Sequence, residues 1–239
     1  MRDTQNWHPT KFELIEGRLR ANRDSADLSR SSWLAAEMAA AAYNRALLCH
    51  ARGDLLDLGC GTVPLYGLYH RLVQSVTCVD WPNTPHSSMH VDVAADLNLP
   101  LPFRCSVFDT VLLTDVLEHL AQPDLLVAEV ARVLRAGGTL VVGVPFMYEI
   151  HEAPHDHHRY TEFRLRAMCE AVGLRVARLE PYGDTLHVWA DVTAKLMYRR
   201  GRATGYIVDA LQRAAAKHRP RAGTGMPLGY VVVATLPSH

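Results

Sequence analysis

The sequence predicts an α/β fold: a seven-stranded, mostly parallel sheet with helices on both faces, an N-terminal helical cap and a helical insertion before the last strand. Three observations carry this expectation. Short apolar runs alternate with helical segments, the arrangement that parallel strands joined by crossover helices require. The run 107–114 is nearly all apolar, as expected of a strand covered on both faces. The first run, 54–58, leads into Gly59-Cys60-Gly61 and then Pro64, a glycine turn followed by a residue tolerated in a helix's first turn. The 239 residues suit one large domain, or one domain with a modest insertion, at roughly 100–200 residues per domain.

Taken in order, residues 1–30 are polar and mixed, with a short apolar patch at Phe12, Leu14 and Ile15, and read as an arm. From Ser31 the pattern turns helical. Ser31 or Ser32 can cap, the run W-L-A-A-E-M-A-A-A-A-Y-N-R-A-L-L-C-H is rich in strong helix formers, and Gly53 ends it. Residues 1–52 are therefore read as arm and cap helix, and 53–239 as the main domain. In the main domain, strands are expected at 54–58, 75–81, 90–95, 107–114, 139–144 and 174–179. Helices are expected at 64–74, at 122–135 (stopped by Gly137-Gly138) and at 161–171, with a two-proline loop at 82–89 and a histidine-rich loop at 147–160. Residues 184–217 read as two helices inside an insertion of about 184–226, and G-Y-V-V-V-A-T at 229–235 returns as a seventh strand beside the sixth. The insertion is expected to form a lid or dimer surface over the acceptor pocket. Its Trp189, Leu196 and Met197 are assigned to the core by helical spacing.

Composition excludes several function classes. Lys+Arg and Asp+Glu are both 25, so no basic surface for a long nucleic-acid backbone is implied. The local basic clusters Arg199, Arg200, Arg202 and Lys217, His218, Arg219, Arg221 read as a solvated helix face and loop. Five cysteines, an odd number without a C-x-x-C pair, look like reduced and mostly buried thiols of a cytoplasmic protein. The first residues lack a signal peptide's apolar stretch, and no run of 18 apolar residues offers a membrane span.

The glycine turn carries the most chemical information. Ligands of open α/β sheets bind at the carboxyl ends of strands, and glycines there let the backbone approach them. A nicotinamide dinucleotide fingerprint would need a third glycine at position 64, which is Pro64, and Asp57 lies where a diphosphate disfavours a carboxylate. A cofactor with a protonated amine and a sulfonium, and no phosphate, suits that carboxylate. The second strand ends in Val79-Asp80-Trp81, about 20 residues further on, where a carboxylate can accept hydrogen bonds from both ribose hydroxyls. Trp81 is read against an adenine face, with packing at the sheet rim as the alternative.

With L-D-L-G-C-G at the first strand, V-D-W at the second and F-D-T-V-L-L-T-D-V-L-E-H-L at the fourth, the chain resembles the class I S-adenosylmethionine-dependent methyltransferases of the broad methyltransferase type 11 group, over about 55–176. The following E-V-A-R-V-L-R-A-G-G-T-L-V-V-G-V-P is typical of them too. The resemblance implies a Rossmann-like fold and S-adenosylmethionine as cofactor, with S-adenosylhomocysteine as product. It implies that Asp57, Gly59, Cys60 and Gly61 border the methionine part, that Asp80 holds the ribose, that Asp96 and Leu97 meet the adenine, and that Thr114 and Asp115 lie beneath the cofactor. Many members continue the turn with a third glycine where this chain has Val63, a departure expected to tighten the pocket. A narrower resemblance is to bacterial members with P-F-x-Y-x-x-H-E-x-P-H-D-x-x-R-Y-T, here at 145–161, which look like tailoring enzymes of sugars or small secondary metabolites.

Methyl transfer to oxygen needs a proton removed, which histidine does near neutral pH. His119 follows the fourth strand and is read either as that base or as a helix-start histidine that shapes the pocket. In the loop after the fifth strand, one of His151 or His155 is read as base or substrate anchor, with Arg159 and Tyr160 as residues that could instead pin the loop. His151 and His155, with carboxylates between them, could also hold a metal. Pro154 breaks the helical i, i+4 face and H-E-x-x-H is absent, so no metal is expected. The expected function is O-methylation of a sugar or metabolite, with a homodimer left open as the assembly. N- or carboxyl-methylation and a non-catalytic, cofactor-binding partner subunit are the alternatives.

Overall fold

The computed structural model describes residues 1–83, 89–199, 204–220 and 225–238. Arg200, Arg202 and Arg221 of the basic clusters, part of the 82–89 loop and parts of the 184–226 insertion lie outside the described residues. Within the segment read as an arm, the chain forms a hairpin, β1 (Phe12–Ile15) and β2 (Arg18–Ala21). Its two-residue turn is Glu16-Gly17, both at positive φ (50° and 75°), the geometry whose twist matches that of the flanking strands. Phe12, Leu19 and Ala21 bury their side chains against α1 (Trp33–His50), while Arg18 and Arg20 face solvent.

A seven-stranded sheet forms the centre. Its strands are β3 (Asp54–Leu58), β4 (Ser75–Asp80), β5 (Val93–Ala94), β6 (Phe108–Thr114), β7 (Leu134–Pro145), β8 (Arg175–Tyr182) and β9 (Gly229–Thr235), in the spatial order β5-β4-β3-β6-β7-β9-β8. All pairings are parallel except those of β9, which runs antiparallel to both β7 and β8. The last strand thus enters beside the sixth, as its sequence position predicts. Strand order reverses at β3, flanked by β4 and β6, so the ligand crevice of an open sheet falls at the carboxyl ends of those three strands. Apolar residues line both faces. Leu55, Leu112 and Val141 pack towards α1, and Leu56, Leu58, Leu113 and Val142 pack towards α3 (Pro123–Val133) and α4 (Glu162–Ala171).

Several boundaries differ from the sequence reading, three of them for clear local reasons. The helix expected over 64–74 shrinks to α2 (Tyr66–Tyr69), because the chain turns at Leu72 N–H to Tyr69 O (2.8 Å) and then reaches back so that Gln74 N–H meets Gly53 O (2.7 Å). The strand expected over 90–95 keeps only two residues of ladder at the sheet edge, with single bonds from Asp92 and Ala95 on either side. The helix expected over 122–135 stops at Val133, because Leu134 already pairs with Phe108 and β7 runs straight through Gly137-Gly138. The N-terminal cap is part hairpin and part helix.

The insertion forms α5 (Thr185–Arg199) and α6 (Gly205–Ala216), packed on each other and on the start of α1. Trp189 and Leu196, expected in the core, are each 59% exposed, and Met197 is half-buried. The spacing argument found an apolar face but not which way it turns. The buried face of α5 instead carries His187, Ala190, Asp191, Ala194 and Lys195. No helix among the described residues is long and apolar enough to cross a membrane. All five cysteines are free, with Cys60, Cys78 and Cys169 buried and Cys49 and Cys105 exposed.

Candidate active site

The glycine turn is built by the end of β3. Gly59 and Gly61 take positive φ (67° and 51°), and both Gly59 N–H and Cys60 N–H donate to Val79 O on β4. A side chain on Gly59 would bring its Cβ to 2.4 Å from Val116 Cγ2, so only glycine lets this turn close against the segment that follows β6. Val63, where a third glycine was expected, also adopts a left-handed backbone (φ 54°), which is strained for a β-branched residue. It is fully buried, and its carbonyl accepts a hydrogen bond from Trp7 Nε1 at 3.2 Å. Thr10 and Thr62 hydroxyls meet at 3.1 Å. The N-terminal segment therefore straps the glycine turn.

Two buried carboxylates stand beside the turn. Asp80 ends β4; its Oδ2 accepts Gly61 N–H at 2.8 Å and its Oδ1 accepts Trp81 N–H at 2.7 Å. Asp57, in β3, accepts the Tyr69 hydroxyl at 2.7 Å. Asp96 closes a turn through Asn98 N–H (2.9 Å) just after Ala95, whose N–H meets Asp80 O, and Leu97 is buried. Trp81 is 38% exposed and its ring meets that of His155 edge-on at 5.6 Å, so it is not packed into the sheet rim.

Burial pushes the Asp57 carboxyl up to about 7, with the Tyr69 hydroxyl pulling it down and the charge of Asp80 pushing it up. Between the ordinary carboxylate value and about 7, the folded protein keeps a proton that the unfolded chain has lost. In that window this group makes stability fall as pH rises, by about 1.4 kcal/mol per pH unit, and above it the loss is complete. Asp57→Asn, which keeps an acceptor for Tyr69, is expected to remove this component and to be more stable than wild type at pH 8. Urea unfolding of the cofactor-free protein at pH 5 and 8 checks it; identical pH profiles for the two proteins would exclude a raised Asp57.

A second polar group lines a cavity of about 150 Å³ between α1, the N-terminal segment and the loop after β7. Asp115, at φ 54° just past β6, lies 3.1 Å from Lys11 Nζ and accepts the Tyr43 hydroxyl at 3.5 Å. Burial alone would lower Lys11, but the Asp115 charge and hydrogen bond outweigh it and hold the ammonium above its usual range. Beyond Val116, a single helical turn (Leu117–His119) carries Glu118 and His119. Glu118 has a side chain with no exposure at all and neither of its carboxylate oxygens has a hydrogen-bond partner. Burial first, then the charge of Asp115, pushes its carboxyl well above the usual range. His151 reaches the same place from the loop, its ring 4.8 Å from that of His119.

The loop is fixed from below. His157 N–H and His158 N–H donate to the Glu118 carbonyl (2.8 and 3.2 Å), and the Tyr160 hydroxyl donates to Leu117 O at 2.8 Å. Arg159 pairs with Asp156 (Nη2 to Oδ2, 2.8 Å) and donates to Glu149 O at 3.1 Å. Of the three histidines considered, the structure gathers His119 and His151 into the cavity, whereas the exposed side chain of His155 faces Trp81. Sequence reasoning missed Glu118, whose only signal was a carboxylate set between Leu117 and His119. It also missed Lys11, which is remote from every motif. The described residues of the 184–226 insertion do not line the cavity, which α1 and the N-terminal segment border instead.

A family model described as a methyltransferase domain matches residues 56–142. A ubiquinone biosynthesis O-methyltransferase of Nitrobacter winogradskyi is 26% identical over 186 residues, which cover 64% of this chain and 70% of that protein. Among solved structures, the [4+2]-cyclase SpnF superposes with a TM-score of 0.59 at 18% identity, covering 97% of this chain and 88% of that one. An S-adenosylmethionine-dependent methyltransferase from Mesorhizobium loti superposes with a TM-score of 0.51 at 16% identity, covering 86% and 97%. At such identities the structural likeness speaks for the fold, and a cyclase on the same fold shows why the reaction has to be argued from the site.

Proposed function

This chain is an S-adenosylmethionine-dependent methyltransferase built on the class I fold, and on that premise we propose that it methylates a hydroxyl of a small acceptor, a sugar or other metabolite, held in the cavity under α1. The observation that supports this most is the convergence of Glu118, His119 and His151 on one cavity that Asp115 also lines, while Val116, the next residue of that segment, packs against Gly59 of the glycine turn. The distant relative that carries O-methyltransferase in its name favours oxygen as the atom methylated.

The residues fit the cofactor by their chemistry. The turn at Gly59 has no room for a Cβ, Asp57 suits a cationic amine, and Asp80 ends the strand where ribose hydroxyls are held. Asp57, Gly59, Cys60 and Gly61 would border the methionine part, Trp81, Asp96 and Leu97 the adenine, and Thr114 and Asp115 the floor. When bound, S-adenosylmethionine would supply a methyl on a sulfonium for the acceptor oxygen, with S-adenosylhomocysteine as the leaving group. The chain's own part is to position the acceptor and take charge of its hydroxyl proton, and positioning supplies much of the acceleration. That proton falls to the Glu118–His119–His151 group. His155, turned towards Trp81, has no part in it.

Labelled S-adenosylmethionine offered with a panel of sugars and hydroxylated metabolites tests the reading. Transfer to a hydroxyl, reduced about 100-fold or more in His119→Ala and His151→Ala but not in His155→Ala, is the expected outcome. Transfer to an amine or a carboxylate would replace the O-methylation reading. Cofactor binding with no acceptor turned over would favour a partner subunit that activates another chain.

A further inference from the structure

We propose that Glu118, His119 and His151 form a site for a divalent transition-metal ion of the zinc class, with an open coordination position facing the cavity. Glu118 Oε1 lies 3.8 Å from His119 Nε2 and 3.9 Å from His151 Nε2, and one ligand atom from each of the three residues can be chosen so that all lie within 4.8 Å of one another. Zinc bonds of about 2.1 Å at tetrahedral angles put ligand atoms about 3.4 Å apart, so binding would draw each imidazole about half an ångström towards Glu118 and the two imidazoles together by up to about 1.4 Å.

Both imidazoles are already oriented for the task. His119 Nδ1 sits 3.0 Å from the His155 carbonyl and His151 Nδ1 sits 3.2 Å from the Glu149 carbonyl. A carbonyl only accepts, so each Nδ1 carries the hydrogen and each Nε2 turns a lone pair towards Glu118. Backbone carbonyls fixing the far ring nitrogen in this way are the usual outer support of a metal-bound histidine. Arg159 and Asp156, and the two amides on the Glu118 carbonyl, hold the loop that delivers His151.

Glu118 is the second and independent observation. Its carboxylate is wholly buried with neither oxygen hydrogen-bonded, a costly arrangement that native proteins keep when an ion or water completes it. Two imidazoles and one carboxylate are also a donor set that suits zinc, manganese or ferrous iron over magnesium. Sequence reasoning set a metal aside because His151 and His155 could not share a helical face. The fold replaces His155 with Glu118 and His119, which come from a different strand exit. The metal role deepens the proposed function and rests on it: with both Nε2 lone pairs on the ion, the acceptor hydroxyl would be oriented and acidified at the open position, and its proton would pass to the Glu118 carboxylate and not to an imidazole.

The full chain, stripped with a chelator, is titrated with Zn²⁺ and with Co²⁺, and S-adenosylhomocysteine binding is measured on the same samples. One Zn²⁺ per chain is expected, with a visible Co²⁺ spectrum of mixed nitrogen and oxygen ligation. Affinity should fall about 100-fold or more in Glu118→Gln, His119→Ala and His151→Ala. It should be unchanged in His155→Ala/His157→Ala, which removes the exposed imidazoles of the same loop. No stoichiometric uptake, or uptake lost equally in that control, overturns the site. Failure of S-adenosylhomocysteine to bind would instead strike the methyltransferase reading, and leave metal uptake to be judged by its own variants.

Discussion

Asp80→Ala is expected to weaken S-adenosylmethionine and S-adenosylhomocysteine binding by about 100-fold or more, equivalent to about 2.7 kcal/mol. The carboxylate is 8% exposed at the end of β4, and the proposed function gives it two tasks. One is internal: its two oxygens take Gly61 N–H and Trp81 N–H, and so fix the glycine turn relative to the second strand. The other belongs to the proposed cofactor site, where the ribose hydroxyls would donate to the same carboxylate. Hydrogen bonds to a charged acceptor contribute about 1.5–3 kcal/mol each, so losing both sets exceeds what one neutral contact could explain. Asp80→Asn keeps one oxygen acceptor but places an NH₂ against a backbone N–H, and should lie between alanine and wild type. Calorimetric titration of both ligands into the three proteins decides it. A well-folded alanine variant binding within about threefold of wild type would mean that Asp80 only staples the turn.

Much of this site was legible because it is local in sequence. L-D-L-G-C-G and V-D-W sit on adjacent parallel strands in register, Leu58 opposite Val79, so motif order maps directly onto place. The apolar residues of β6 around Asp109 and Thr110, and the return of Gly229–Thr235, were legible for the same reason, since short β-branched runs bounded by turns fit strands buried on both faces. What escaped depends on contacts distant in the chain. Asp115 meets Lys11 across 104 positions, which no periodicity encodes. Glu118 reads as an ordinary polar residue of a short turn until the loop from β7 folds over it through His157, His158 and Tyr160. The hairpin at 12–21 was written in Glu16-Gly17 between alternating apolar residues, but four-residue strands give a weak signal.

Asp191→Ala is expected to destabilise the fold by about 3–5 kcal/mol, more than any surface change on α5. Asp191 and Lys195 are one helical turn apart on its buried face, their side chains 1% and 8% exposed, with Lys195 Nζ 2.7 Å from Asp191 Oδ2. The same ammonium sits 3.6 Å above the Tyr148 ring, and Tyr148 lines the cavity. Removing the carboxylate leaves a buried ammonium with an aromatic face as its support, and a cation–π contact of about 2 kcal/mol does not replace an ion pair together with its hydrogen bond. The pair is not optimal either. Asp191 Oδ1 has no hydrogen-bond partner, and burial pushes its carboxyl up against the pull of Lys195. Replacing both partners, as Asp191→Leu/Lys195→Met, should therefore return stability to about the wild-type value or above it, because the desolvation of two charges disappears with their attraction. Urea unfolding of the two single variants and the double variant gives the coupling directly. A single alanine variant within about 1 kcal/mol of wild type would show that the ammonium reaches water, and that this face of α5 opens more readily than its packing implies.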